Sequence, residues 1–404
     1  MKKALKKPKL MCPIRDWASF DACKKYADEV YFSASTLSLR QNSNNFTLKD
    51  IPKFVKLCKK YNIDAFLVVN SVMYNDDLKM AEKIIKTAKE SGVKAVIVWD
   101  LAGIEIAKKQ KMPFVVSTQA NISNWKAVDF YKKLGAKRVV LAREMTLKQI
   151  KETIKKCKGI EIETFIHGAM CFSISGRCLL SAGIYNKSAN CGSCAQPCRK
   201  EWILTDPEGN KISNQGKFFM SAQDMCMIEY IPELIEAGIN SFKTEGRRRD
   251  PLYIETTARC YREAVDAYFD NSFTKEKAKQ WKKELEGVYN RGFSTGFYFG
   301  TPEKEGISFD KANNQSPYKK VLLGKVVHYY SKQKVALIRL YHKSIKIGDE
   351  VIFEDNKTYL KQIIDSMEIE NKKVVKGKKG DDVGVKVKKP IKKGVDVFMM
   401  VKKI

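Results

Sequence analysis

The sequence predicts an α/β protein: a (β/α)8 TIM-like barrel with a Cys-rich insertion, followed by a small C-terminal antiparallel β-barrel. From the start of the chain to about residue 245, short apolar β-type runs alternate with amphipathic segments of helical period. Such alternation implies parallel strands joined by right-handed crossovers. Eight such units in about 250 residues match a (β/α)8 barrel. A doubly wound open sheet, or a barrel distorted at its first unit, are the alternatives.

The β-type runs are short and rich in Val, Ile and Phe, and eight of them precede residue 246. They lie at 9–12, 29–33, 64–70, 95–100, 114–119, 138–142, 162–167 and 241–245. Helical segments separate them, as in 47–61, where Ile51, Phe54, Val55 and Cys58 follow the i, i+3, i+4, i+7 spacing. Glycines at 92 and 135 are expected to end such helices.

The carboxyl ends of the predicted strands are expected to carry the active site, because this fold places its active sites there. Polar residues occupy these ends, namely Ser33, Asn70, Asp100, Gln119, Arg143, His167 and Glu245. Loops are polar in general, so this pattern supports a catalytic barrel only mildly.

The alternation stops between the last two runs, where an insertion at 168–240 replaces one helix. After two further helical stretches, glycines and Pro302 indicate a linker at 301–319, and short β-type runs resume in the segment 320–404. The first 300 residues, including the insertion, are therefore predicted to form the catalytic domain. A run of lysines at 372–379 is either a solvated hairpin tip or a loop that contacts phosphates.

The charge of the chain favours a polyanionic partner such as RNA. Lys and Arg number 75 against 46 Asp and Glu, a net charge of +29, and residues 311–404 hold 23 basic against 10 acidic residues. A generally lysine-rich proteome is the alternative explanation. The sequence has no apolar run long enough to predict a membrane span. The charged N-terminus is not followed by the apolar segment of a secretory signal. A cytoplasmic protein is expected.

Five cysteines lie between Cys171 and Cys198, among Gly, Ser and Asn. Buried structural cysteines usually sit in apolar periodic segments, so this cluster predicts metal ligation. Thiolate sites suit zinc or an iron-sulfur cluster, and the wide first spacing, Cys-x6-Cys, favours the cluster.

Several motifs resemble one known family. They are FIHGAMCFSISGRCLLS at 165–181, CAQPCR at 194–199, STQAN at 117–121, LARE at 141–144, FKTEGR at 242–247 and RGFSTGF at 291–297. Together they resemble the collagenase-like peptidase family U32, and most closely its branch of prephenate-dependent tRNA uridine 5-hydroxylases. The family usually has Ala-Pro-Ala-Gly where this chain has CPIR at 12–15.

The resemblance implies a 4Fe-4S cluster on Cys171, Cys178, Cys194 and Cys198. Cys191 is then an extra thiol and Cys226 a reserve ligand. The resemblance also implies oxygen-independent hydroxylation of an RNA pyrimidine, with prephenate as the oxygen-donating co-substrate. The first candidate target is C5 of the tRNA wobble uridine.

Prephenate is a dicarboxylate, and arginine binds carboxylates with two parallel hydrogen bonds. Arg143, Arg177 and Arg247 are the candidate ligands of the co-substrate, although Arg247 could instead pair with Glu245 or Asp250. His167 and Glu245 are candidates for moving protons, and Gln119 and Asn121 for reading a base edge. His167 as a satisfied structural residue at a strand end is the competing interpretation.

Three other functions remain open. A collagenase-like peptidase needs an activated nucleophile or a metal-bound water, yet only three histidines exist and no zinc-protease or serine-hydrolase motif occurs. An rRNA cytidine hydroxylase would keep the chemistry and change the substrate. A non-catalytic RNA-binding or assembly protein would keep only the fold.

Overall fold

A computed structural model describes residues 5–41, 43–211, 218–302, 306–309 and 314–403. The described chain divides into two compact units. The second unit comprises Ser316–Ile404 with the short segments Asp16–Ala22 and Asp250–Leu252, and the first comprises the rest. The predicted limits 1–300, 301–319 and 320–404 stay predictions, and parts of the predicted linker and insertion lie outside the described residues.

Eight parallel strands form a closed barrel in the first unit. They are β1 (Lys9–Pro13), β2 (Glu29–Ser33), β3 (Asp64–Val68), β4 (Ala95–Val98), β5 (Phe114–Val116), β6 (Arg138–Val140), β7 (Glu161–Ala169) and β9 (Ser241–Thr244). Neighbours pair in this order, and β9 pairs in parallel with both β7 and β1. Because the order closes on itself, the predicted barrel is confirmed and an open sheet is excluded.

Helices connect the strands. They are α1 (Trp17–Cys23), α2 (Ile51–Lys60), α3 (Leu78–Ser91), α4 (Leu101–Lys109), α5 (Trp125–Lys133), α6 (Leu147–Lys156), α7 (Leu180–Tyr185), α8 (Ile231–Glu236), α9 (Pro251–Phe269) and α10 (Lys275–Glu286). Helix α3 ends at Gly92, whose φ of 75° is a left-handed conformation that glycine adopts without strain. Helix α6 begins with a capping box between Thr146 and Gln149. Helix α1, which follows the first barrel strand, has 7 residues.

The insertion folds back onto the end of the barrel. Its strand β8 (Asp224–Cys226) pairs antiparallel with the last residues of β7, so His167 lies opposite Cys226. A two-residue strand, β10 (Phe293–Ser294), returns after α10 and pairs with β8. Arg291 forms a buried ion pair of 2.9 Å with Asp224, which fixes the RGFSTGF segment beside the insertion.

A buried network of charges crosses the barrel near the amino ends of its strands. The Arg138 guanidinium donates to both oxygens of Glu29, at 2.7 and 2.8 Å, and to Glu163 at 2.8 Å. Lys243 donates to the other oxygen of Glu163 at 2.7 Å. Glu161, half exposed, also accepts from Arg138. We call Arg138, Glu29, Glu161, Glu163 and Lys243 the barrel charge network.

The second unit is a curled antiparallel sheet, which confirms the predicted antiparallel β module. Its strands are β11 (Tyr318–Tyr330), β12 (Val335–Leu340), β13 (Ile345–Lys346), β14 (Glu350–Glu354), β15 (Tyr359–Ile363), β16 (Met367–Ile369), β17 (Lys372–Lys373), β18 (Lys376–Gly377), β19 (Asp382–Lys386) and β20 (Asp396–Lys402). Eight of these strands form one sheet in the order β15-β14-β20-β11-β12-β19-β16-β17, and β13 pairs separately with β18. The Gln362 side chain bonds to the backbone of Lys386 and Lys388, which brings β15 towards the end of β19 and curls the sheet.

The lysine run at 372–379 follows a tight turn at Glu370 and Asn371, both with positive φ. Its five lysines, Lys372, Lys373, Lys376, Lys378 and Lys379, are all exposed. Among the described residues, no helix has the length and apolar character needed to cross a membrane.

Replacing Glu163 by Gln should strongly destabilise the barrel, because it leaves the buried cations Arg138 and Lys243 without one of their carboxylates. Removing one partner of a buried ion pair costs about 3–5 kcal/mol of unfolding free energy, measurable by urea denaturation. Asp129→Asn is the matched control, because Asp129 and Lys133 pair at 2.8 Å on an exposed face of α5. Its unfolding midpoint should hardly move, and an equally small effect of Glu163→Gln would show that the barrel does not depend on this network.

Candidate functional site

A polar cavity of about 610 Å³ opens at the carboxyl ends of the barrel strands. Its lining includes four cationic side chains and the carboxylate of Glu245. The charged and polar lining residues are Arg40, Asn70, Ser117, Thr118, Gln119, Arg143, Cys171, Ser175, Lys243, Glu245 and Arg247. We call this space the barrel-mouth cavity; its position matches the expectation for the fold.

Arg143 has an unsatisfied edge at the barrel-mouth cavity. Its Nη1 donates to the carbonyl of Ala169 at 2.7 Å, and its guanidinium lies 4.6 Å from the centre of the Phe165 ring. Its Nε and Nη2 are buried and have no hydrogen-bond partner among the described residues. These two nitrogens form the side of the guanidinium that binds a carboxylate with two parallel bonds. Burial lowers the pKa of Arg143, yet a guanidinium keeps its charge in proteins.

Glu245 is held as a carboxylate by arginines. Burial alone would raise its pKa, but Arg40, Arg249 and Arg143 outweigh burial and keep the pKa below its usual range. Arg40 Nη2 approaches the Glu245 carboxylate at 3.4 Å. A carboxylate with a lowered pKa is a weak base, so this environment suits charge pairing better than proton abstraction.

Arg247 is fixed by neutral groups. Its guanidinium donates to the hydroxyls of Ser33 and Ser38 and to the side-chain oxygen of Asn45, and no carboxylate accepts from it among the described residues. The alternative pairing with Glu245 or Asp250 is therefore not what the structure shows. Burial lowers the pKa of Arg247 to about 10. Arg247 thus ties β9 to the loop after β2, the loop that carries Arg40.

The Gln119 amide is already engaged on both sides. Its oxygen accepts from Asn70 Nδ2 at 3.0 Å and from the Ser117 hydroxyl, and its nitrogen donates to the Ser175 carbonyl at 3.1 Å. These bonds connect the ends of β3 and β5 to the cysteine-rich segment. Gln119 therefore has little free capacity to read a base. Asn121 does not line the barrel-mouth cavity, although its Oδ1 is buried without a partner among the described residues.

His167 is only 1% exposed and lies behind the cavity wall. The rings of Tyr253, Tyr261 and Phe293 surround it at centroid distances of 5.4–5.8 Å. The Tyr261 hydroxyl is 3.3 Å from its Nδ1. Burial lowers the pKa of His167 to about 3, so the imidazole is neutral at neutral pH. This geometry favours the structural interpretation of His167.

The four predicted cluster ligands are half-buried thiols in the insertion. Burial raises the pKa of Cys198, and the neighbouring Cys171 and Cys194 raise it further against the opposing effect of Arg199. Cys171 also lines the barrel-mouth cavity. Across the described residues, no group of three or more His, Cys, Asp or Glu is placed to hold one metal ion. The donor types fit a thiolate-ligated 4Fe-4S cluster, in which each of four thiolates binds a different iron and the thiolates do not converge on one ion.

The two other candidate thiols contact tyrosines. Cys191 Sγ lies 4.0 Å from the Tyr74 hydroxyl. Cys226 is buried in β8 and accepts from the Tyr261 hydroxyl at 3.7 Å, and burial raises its pKa to about 11. A reserve role for Cys226 stays a prediction.

Close packing holds the insertion against the barrel. A Cβ on Gly192 would lie 2.1 Å from the Ser38 carbonyl, so only glycine allows this approach to the loop after β2. Arg199, next to Cys198, donates to the carbonyls of Met170 and Ala222. The cysteine-rich segment is thus anchored to the ends of β2, β7 and β8.

The structure brings together four of the predicted site residues, Gln119, Arg143, Glu245 and Arg247, with Cys171. It places His167, Asn121 and Arg177 outside the lining of the barrel-mouth cavity. Sequence reasoning missed Arg40 and Lys243. Lys243 lay within the FKTEGR motif, whereas Arg40 lies in a long loop whose position no local pattern indicates.

An eight-stranded barrel with a polar cavity at the carboxyl ends of its strands is the architecture of barrel enzymes. The model of peptidase family U32 matches residues 16–308. The chain belongs to this family.

Three relatives show the range of names in the family. An uncharacterized protease of Methanocaldococcus jannaschii is 40% identical over 97% of this chain and 98% of its own length. A collagenase of Porphyromonas gingivalis is 34% identical over 95% of both chains. The tRNA hydroxylation protein P1 of Bacillus subtilis is 36% identical over 86% of this chain and 83% of its own. These names refer to two different chemistries.

The neutral state of His167 predicts a pH dependence of stability. The unfolded chain takes up a proton on this histidine below about pH 6.5, whereas the folded chain does so only near its pKa of about 3. Stability due to this residue is therefore present above pH 6.5 and falls as the pH decreases. The urea midpoint of His167→Gln should fall less steeply than that of the wild type between pH 7 and 4.5. Equal slopes would mean that the folded protein protonates His167 normally.

Proposed function

We propose that this protein is an RNA-modifying enzyme that hydroxylates a pyrimidine, C5 of the tRNA wobble uridine, without molecular oxygen. Prephenate is the proposed oxygen-donating co-substrate, and the barrel-mouth cavity is its proposed binding site. Cys171, Cys178, Cys194 and Cys198 are the proposed ligands of a 4Fe-4S cluster. The proposal rests on the cavity chemistry, the family motifs and the relatives named for tRNA hydroxylation.

The single observation that carries the proposal is the buried, unpaired edge of the Arg143 guanidinium. A buried guanidinium with two unpaired nitrogens is costly unless an anion completes it. Its Nε and Nη2 match the two oxygens of a carboxylate, and the guanidinium packs 4.6 Å from the centre of the Phe165 ring. A carboxylate ligand of Arg143 satisfies both nitrogens at once.

The second carboxylate of the co-substrate is assigned to Arg40 rather than to Arg177 or Arg247. Arg40 lines the same cavity and is only loosely paired with Glu245 at 3.4 Å. Arg247 is occupied by Ser33, Ser38 and Asn45. Arg177 does not line the barrel-mouth cavity. Lys243 adds positive charge at the cavity wall while it stays bonded to Glu163.

An RNA substrate agrees with the charge of the chain. The net charge of +29 favours a polyanion. In the second unit, the exposed lysines of 372–379 offer contacts to phosphates, which position an RNA without reading its sequence. An rRNA cytidine as the target would use the same cavity.

A peptidase mechanism has less support in the described residues. Serine and cysteine peptidases need a base within hydrogen-bond reach of the nucleophile. His167 is the one histidine of the first unit's described part, and aromatic rings enclose it away from the barrel-mouth cavity. Cys171 and Ser117 at the cavity therefore have no histidine partner.

The cluster proposal predicts a coloured protein after anaerobic purification. A 4Fe-4S centre gives a brown protein with about four irons per chain, measured by iron and sulfide analysis and by visible absorbance. Cys178→Ser should abolish the colour, because it removes a thiolate ligand. Cys58→Ser is the matched control, since Cys58 is buried on α2. One tightly bound zinc and no iron would refute the cluster.

The hydroxylase proposal predicts that cells lacking the gene lose one hydroxyl from an RNA pyrimidine. Nucleoside mass spectrometry of tRNA and rRNA from deleted and parental cells measures this loss. Arg143→Ala should fail to restore it, whereas Arg339→Ala should restore it, because Arg339 pairs with Asp382 on an exposed face. Prephenate should raise the melting temperature of the wild type but not of Arg143→Ala, since a ligand stabilises only the state that binds it.

A deficit confined to 5-hydroxycytidine in rRNA would mean that the substrate is an rRNA cytidine and that the proposed hydroxylation chemistry is correct. Identical nucleoside profiles, together with cleavage of gelatin or casein by the purified protein, would refute the hydroxylase and favour the peptidase.

A further inference from the structure

A second, more open cavity lies beside the barrel-mouth cavity in the first unit, with a volume of about 740 Å³. Its lining residues are Trp99, Asp100, Leu101, Ala120, Tyr131 and Arg177. None of them has a role in the proposed co-substrate site. Arg177, which the sequence assigned to the dicarboxylate, belongs to this second cavity instead.

The indole of Trp99 is held in place by one hydrogen bond. Its Nε1 donates to the Asn70 carbonyl at 2.9 Å. The guanidinium of Arg177 lies 5.3 Å from the centre of the indole ring. Trp99 is therefore an oriented aromatic ring with the Arg177 cation over one of its faces, and its orientation costs nothing further when a ligand binds.

Two side chains of this cavity are largely exposed. The Arg177 side chain is exposed and forms no hydrogen bond or ion pair in the described part of the chain. Leu101, at the first position of α4, leaves 67% of its surface exposed. An aromatic ring, a cation and an exposed aliphatic side chain at one open cavity are the groups on which nucleobases stack.

We propose that Trp99, Leu101, Tyr131 and Arg177, the Trp99 platform, bind a nucleobase of single-stranded RNA by stacking. The base is the one next to the nucleotide that enters the barrel-mouth cavity. This inference rests on the proposed RNA substrate and adds the site that holds the neighbouring nucleotide. Arg177 contributes its planar cation to the stack and to the attraction of the RNA.

The connection between the two cavities supports this assignment. Asn70 binds Trp99 through its carbonyl and Gln119 through its side chain. Gln119 lines the barrel-mouth cavity, and the next residue, Ala120, lines the second one. The two cavities thus share a wall, so the proposal places adjacent nucleotides of one strand in them.

The platform is tested by measuring RNA binding to the full-length protein over a range of salt concentrations. The RNAs are an unmodified tRNA transcript and oligouridylate. Trp99→Leu should weaken binding about 5- to 100-fold, the range for loss of one base–aromatic stack. The slope of log affinity against log salt should not change, because stacking releases no counterions. Trp99→Phe, which keeps a ring, should recover most of the affinity.

Trp125→Leu is the matched control, because Trp125 lies on α5 and does not line this cavity. It should bind RNA as the wild type does. Circular dichroism and the prephenate-induced rise in melting temperature should be the same for Trp99→Leu and the wild type, which shows that the barrel and its co-substrate site are intact.

Unchanged RNA affinity of Trp99→Leu, with hydroxylation of cellular RNA by the wild type confirmed, would overturn the platform and leave the proposed function standing. A wild type that neither binds RNA nor alters cellular RNA would overturn both. If Trp99→Leu lost binding to a collagen-derived peptide but bound RNA as the wild type does, the cavity would be a polypeptide site. That result would also overturn the proposal.

Discussion

The barrel charge network is the interaction on which the geometry of the site depends. Arg138 on β6 binds Glu29 on β2 and Glu163 on β7, and Glu163 also binds Lys243 on β9. Desolvating these groups costs several kcal/mol per ion, which only close pairing offsets. Pairing lowers the pKa of Glu163 in spite of its burial. One set of bonds therefore fixes four strands and holds the ammonium of Lys243 at the wall of the barrel-mouth cavity.

Above this network, the site is assembled from segments far apart in the chain. Arg247, which follows β9, bonds to the loop that carries Arg40, and Gln119 bonds the end of β5 to the cysteine-rich segment. Gly192 packs against the same loop as Arg247. These contacts engage the Gln119 amide and both terminal nitrogens of Arg247, of which only Nε stays unpaired among the described residues. Arg143 keeps two unpaired nitrogens at its guanidinium.

The family contains proteins named for proteolysis and proteins named for RNA hydroxylation, and the cavity offers a physical reason to prefer one. Proteolysis requires a strong base near a nucleophile, yet the one histidine in the described part of the first unit is buried among aromatic rings and neutral. The cavity instead concentrates fixed cations, which bind anionic groups. The Trp99 platform beside it extends the same surface with stacking groups, so both cavities suit an anionic, aromatic substrate.

The alternation of strands and helices is a local pattern, so the sequence was sufficient to predict the barrel and its eight strands. The general preference of this fold for sites at the carboxyl ends then predicted where a site would lie. The sequence also identified Arg143 and Glu245 as strand-end residues. It missed short strands of the second unit such as β15, where the inward-facing Gln362 interrupts the apolar alternation. Three placements became visible only in the folded chain: Arg40 lines the cavity, Arg177 contacts the Trp99 ring, and His167 is enclosed by aromatic rings. Those outcomes depend on contacts between residues tens to more than a hundred positions apart, which no local sequence pattern encodes.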